Sequence, residues 1–102
     1  MKKGYQSDSD LEIRLNEHEV FLNGKSLNLN HYEFLTFCYL AKHPGWVFSK
    51  EKIYEDVWGE AGEHGGTAVV NVISQIRNKL KSAGADKEYI RTVVHRGYKF
   101  VP

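Results

Sequence analysis

Leu11, Ile13 and Leu15 alternate with Glu12, Arg14 and Asn16. A period of two puts one face of a strand inward and the other into water. Val20 and Leu22 repeat the alternation, and Leu27 and Leu29 resume it after Asn23-Gly24. Asn-Gly between two such runs predicts a two-residue hairpin turn, because both central residues need positive φ. A small antiparallel sheet is therefore expected over 11–29. The polar residues 1–10 ahead of it read as a flexible tail or linker remnant.

The period then changes to that of helices. Asn30 is placed to cap a first helix, with Glu33 at capping-box spacing. Leu29 and Phe34 flank the cap as a hydrophobic staple. Phe34, Leu35, Phe37, Cys38, Leu40 and Ala41 form a broad apolar face, and His43-Pro44-Gly45 ends the helix. A second helix starts at Ser49, with Phe48 and Ile53 at staple spacing and Ile53, Tyr54, Val57 and Trp58 on its buried side. Gly59 stops it. The stretch 59–66 holds four glycines and no periodicity, which predicts a flexible loop.

A third helix is expected from about Thr67 to Ser82. Val69, Val72, Ile73, Ile76 and Leu80 fall in one narrow sector at 100° per residue. Thr67, Asn71, Ser74, Gln75 and Asn78 fill the opposite sector. Arg77 and Lys81 border that strip on one side and Lys79 on the other. Exposed helix faces usually carry Glu and Lys, which have better helix propensity, so a row of uncharged hydrogen-bonding groups points to selection for something else. Two short strands follow, 89–94 and 98–101, with His95-Arg96-Gly97 as the tip between them.

Charge sharpens this picture. The chain as a whole carries +1, but residues 1–66 carry −4 and residues 67–102 carry +5. A basic C-terminal third is a cue for a polyanion-binding surface. The 102 residues make one domain. No apolar run approaches the roughly 20 residues that span a bilayer. The two N-terminal lysines have no apolar segment behind them, so no signal peptide is read there. Cys38 stands alone, which fits a reducing cytoplasm.

A DNA major groove about 12 Å wide admits one α-helix. A reading helix therefore needs an apolar row docked to its own domain and a polar row outward. Asn71 and Gln75, one turn apart, suit adenine edges, as does Asn78, and Thr67 and Ser74 suit several base edges. Arg77, Lys79 and Lys81 are better placed for phosphates, which fix register. Lys50, at the start of the second helix, adds a charge to backbone N–H groups that favour a phosphate. The Thr92 hydroxyl could hold another phosphate. His95 and Arg96 at the hairpin tip could reach a backbone or a narrow minor groove.

These residues resemble the winged-helix effector domain of OmpR/PhoB-type response regulators. The resemblance lies in Leu29-Asn30-His31-Tyr32-Glu33-Phe34, in Gly45 to Gly59 with its Val57-Trp58-Gly59 end, in Ile73-Ser74-Gln75-Ile76-Arg77-Asn78-Lys79-Leu80, and in Ile90-Arg91-Thr92-Val93 with Gly97-Tyr98-Lys99-Phe100. It covers about 11–102. It implies an α+β winged helix-turn-helix: a four-stranded N-terminal sheet, three helices and a C-terminal hairpin wing. It also implies double-stranded DNA as partner, with the third helix in the major groove and the wing at the minor groove. Further implications are head-to-tail dimers on direct repeats, an RNA polymerase contact through 59–66, and control by phosphorylation of a receiver domain. These residues hold no receiver, so an excised or stand-alone output domain is expected. The family's wing commonly reads Thr-Val-Arg-Gly-x-Gly-Tyr. Here Thr92-Val93-Val94-His95-Arg96-Gly97-Tyr98 moves the Arg by two positions and lacks one Gly.

Competing chemistries find little in the chain. The five histidines (His18, His31, His43, His64 and His95) lack metal-ligand spacing. No nucleotide-binding Gly loop follows a strand, and no triad or acid pair suggests an enzyme. No cofactor is expected. The alternative that stays open is a winged-helix module that binds another protein, with weak DNA binding.

Overall fold

The computed structural model describes residues 10–102. The expected tail thus lies outside the described residues except for Asp10, whose carbonyl accepts the Asn23 N–H at 2.8 Å. Strands β1 (Leu11–Arg14), β2 (Glu19–Leu22) and β3 (Lys25–Ser26) form an antiparallel sheet in that order. Leu11 pairs with Leu22 and Ile13 with Val20. All four are buried, as alternation requires of a sheet with one face on a core. Asn23 and Gly24 turn the hairpin with φ of 52° and 81°. The sheet has three strands among the described residues, where the family resemblance implies four. Its return strand is also shorter than the alternation predicts: Leu27 adds one bond, to the Val20 carbonyl, and Asn28 then takes φ 54° and turns the chain toward the first helix.

Helix α1 (His31–Ala41) begins with the capping box. Glu33 N–H donates to Asn30 Oδ1 at 2.9 Å, and Asn30 N–H donates to Glu33 Oε1 at 3.0 Å. Helix α2 (Lys50–Trp58) is capped by Ser49 Oγ, which accepts from Lys52 N–H at 3.0 Å, and ends at Gly59 with φ 77°. The two helices are tied by Tyr39 Oη, which donates to Asp56 Oδ2. That bond and nearby Lys52 hold the Asp56 carboxyl below its ordinary range. Trp58 is half-buried between two rings, 4.6 Å from Tyr32 and 5.1 Å from Tyr54.

Helix α3 (Gly66–Ser82) lies against both α1 and α2. Strands β4 (Ile90–Val93) and β5 (Gly97–Phe100) form the C-terminal hairpin. The core gathers the inward faces of β1, β2, the three helices and β5: Leu11, Val20, Phe37, Leu40, Ile53, Val69, Ile76 and Phe100 are fully buried. Cys38 lies in this core, and burial pushes its thiol pKa up to about 11. It is packed as a small hydrophobe.

Among the described residues one buried side-chain polar group is unsatisfied. Thr36 Oγ1 has no hydrogen-bond partner, and the residue is fully buried on α1. A buried lone hydroxyl carries a desolvation penalty. Thr36→Val keeps the shape and removes the hydroxyl. It is expected to hold stability or raise it by up to about 1 kcal/mol, read from the urea midpoint. A loss of stability would reveal a partner for that oxygen.

Candidate nucleic-acid interface

The outward row of α3 is defined by what its opposite row buries. Val69, Ile73, Ile76 and Leu80 are buried, while Thr67, Asn71, Ser74, Gln75 and Asn78 are exposed. Val72, at the edge of the apolar sector, is half-buried. Val70 also lies outward and is 43% exposed. Being apolar, it offers no hydrogen-bonding group to a base edge.

The basic residues bordering this row differ in their freedom. Lys81 is exposed, and Lys50, Lys81 and Arg96 make no ion pair among the described residues. Lys79 is not available for a phosphate. Its ammonium donates to Glu33 Oε1 at 2.6 Å and to the Asn28 carbonyl at 2.9 Å. The Glu33 side chain is only 4% exposed. One carboxylate thus closes the α1 cap and anchors α3, an energetic reason for Lys79 to stay docked.

Arg77 is half-buried beside the wing. Its Nε and Nη2 donate to the Ile90 carbonyl at 3.2 and 3.0 Å, and Nη2 also donates to Thr92 Oγ1 at 2.8 Å. Its guanidinium lies 5.7 Å from the Tyr98 ring centre. Arg77 and Thr92, singled out separately as phosphate ligands, form one joint between α3 and β4. That joint sets the distance between helix and wing.

A third tie holds the wing to α2. Phe48 and Tyr98 exchange two backbone hydrogen bonds of 2.9 Å, and Gly45 N–H donates to the Phe100 carbonyl at 2.8 Å. The linker before α2 therefore lies against β5 through an isolated antiparallel bridge. This places Lys50, Thr92, His95 and Arg96 around a single open cleft with Ser49 and Tyr98. His95 sits at the tip with φ 64° and Arg96 N–H donates to the Val93 carbonyl. Both side chains are exposed. The cleft borders the start of α2, whose first N–H groups are positive ends of peptide dipoles.

The stretch 59–66 is not the flexible loop its glycines suggest. Gly62–His64 form a 3₁₀ turn, and Gly62 and Gly65 are buried. A Cβ on Gly62 would stand 2.6 Å from the Glu51 carbonyl oxygen, and one on Gly65 would lie 1.9 Å from the Tyr54 ring. These glycines are needed for close approach, not for mobility. They press the start of α3 against α2 and fix the angle between the two helices.

Three helices with α3 presented beside a β-hairpin constitute a winged helix-turn-helix, here with an N-terminal sheet. The comparisons place the chain within that class. Residues 24–100 match the family described as "Transcriptional regulatory protein, C terminal", and the chain belongs to that family. It is 40% identical over 82 residues to the transcriptional regulatory protein SpaR of Bacillus subtilis, covering 80% of this chain and 36% of SpaR. The chain thus spans little more than a third of that relative. The DNA-binding domain of CpxR from E. coli superposes with TM-score 0.82 at 27% identity, over 97% of both chains. The Klebsiella pneumoniae RstA DNA-binding domain, solved in complex with the RstA box, superposes with TM-score 0.82 at 26% identity over 94% of this chain and 95% of that one. Among the described residues no helix is long and apolar enough to cross a membrane.

Proposed function

We propose that this chain is the sequence-specific DNA-binding output domain of a transcriptional response regulator. The observation that carries the reading is the exposed row Thr67, Asn71, Ser74, Gln75 and Asn78 on a helix whose other row is buried. In this reading α3 enters the major groove and those groups meet base edges. Lys50, Lys81 and Arg96 meet phosphates, and His95 and Arg96 approach the minor groove from the wing tip. Arg77 and Thr92 hold the wing at the spacing the duplex demands, and the outer side of their joint lines the backbone. The RstA domain with its DNA box supports this reading by likeness of fold.

The larger regulator is assigned on the family resemblance. It would act in the cytoplasm, bind direct repeats as head-to-tail pairs, touch RNA polymerase through 59–66, and respond to phosphorylation of a receiver domain. The exposed Glu60, Glu63 and His64 give that segment its accessible surface.

Selection of bound duplexes from a random pool is the test. An enriched motif is expected. The logarithm of affinity should fall linearly with log salt, with slope near −0.9 per neutralised phosphate. Asn71→Ala or Gln75→Ala should cost about 1–3 kcal/mol on the selected site and relax base preference there. Equal losses on random DNA would remove these two side chains from base reading. No enrichment and no salt dependence would favour the protein-binding alternative.

A further inference from the structure

The outward face of α3 holds one apolar side chain, Val70, among hydrogen-bonding ones. It is 43% exposed. Thr67 lies three residues before it and Ser74 four after, so the three share a stripe on the helix surface. Lys50 and Thr67 line the same open cleft as Val70, which sets it on the side of the helix that faces the start of α2. An exposed β-branched residue in a helix interior lacks the propensity of Ala, Glu or Lys. Its branched methyls also carry no hydrogen bond.

We infer that Val70 is a specificity-determining residue that packs its methyl groups against the 5-methyl of a thymine in the bound duplex. The inference rests on the proposed insertion of α3 in the major groove. Thymine is the one base that presents a methyl group there, and small apolar side chains recognise it by contact. The outward row supports this choice. Thr67, Val70, Asn71, Ser74, Gln75 and Asn78 include no cation to pair with guanine and no carboxylate to pair with cytosine, and the bordering Lys81 serves a phosphate in the proposed reading. Discrimination on this face therefore falls to amides, hydroxyls and one apolar patch, a set suited to A·T pairs.

The test begins with the selected duplex and replaces each thymine in turn by deoxyuridine, which lacks only the methyl. One replacement should weaken the wild-type chain about fourfold, the value of one methyl removed from water. Val70→Ala should bind the thymine duplex more weakly by a similar factor and be indifferent to that same replacement. This non-additivity identifies a direct contact. The salt slope should be the same for both chains, because no phosphate contact is lost. Val70 is exposed and Ala has the better helix propensity, so the variant should keep the parent's thermal midpoint or raise it slightly. If every replacement has the same effect on both chains, Val70 reads no methyl and the inference is overturned, while DNA reading by α3 stands. If the pool yields no motif, the proposed function fails and this inference fails with it.

Discussion

Gly97→Ala is expected to lower folding stability by about 3 kcal/mol or more and to weaken binding to every DNA sequence. Two independent penalties meet at this residue. Its φ is +139°, a conformation that L side chains rarely adopt, and a Cβ would stand 2.0 Å from the Phe48 carbonyl oxygen and 2.8 Å from Ser49 Cα. That oxygen accepts the Tyr98 N–H. Relief of the clash must therefore move the linker away from β5. The movement would break the paired hydrogen bonds and displace Ser49, the cap of α2. Gly24→Ala is the control. Gly24 also has positive φ, 81°, but nothing lies within 4 Å of its missing Cβ. Only backbone strain of about 1–2 kcal/mol is expected there. Urea denaturation of the two variants separates strain from collision. Equal midpoints would mean that linker and wing are not in fixed contact.

The second large effect belongs to Ile73, which is 1% exposed on the inward row of α3. Ile73→Ala should cost about 2–5 kcal/mol, from lost burial and from the cavity left behind. Ile73→Val should cost only about 0.5–1.5 kcal/mol. A small domain has about 5–15 kcal/mol in all, so the alanine variant loses a large share of its stability. The urea slope should stay constant, because the surface exposed on unfolding barely changes. A near-neutral Ile73→Ala would rotate the helix away from the orientation described, and Asn71 and Gln75 would lose their outward placement with it.

The orientation of α3 was legible from spacing because helical period is local. Val69, Ile73, Ile76 and Leu80 predict an inward row, and the five polar residues predict its opposite. The capping box of Asn30 and Glu33 and the turn of Asn23 and Gly24 were legible for the same reason: each needs only neighbouring residues. Lys79 marks where such reasoning stops. Its spacing on α3 made it a phosphate ligand, but Glu33, 46 positions earlier, holds it. Arg77 and Thr92 were each singled out, yet nothing in their separation of 15 residues announces that they bind one another. The four glycines of 59–66 suggested mobility, because a sequence cannot distinguish a glycine that frees the chain from one that admits a tyrosine ring.

The amino-acid order alone determined the three helices and the two hairpins, the inward and outward rows of α3, and the chemistry that α3 displays. These follow from periodicity and capping, which act over one or two helical turns. Only the tertiary structure decided which cations are free, how far the wing stands from the helix, and that Lys50 shares a cleft with Arg96. Those depend on contacts between residues 13 to 55 positions apart, where chain direction and packing, rather than local preference, set the distance.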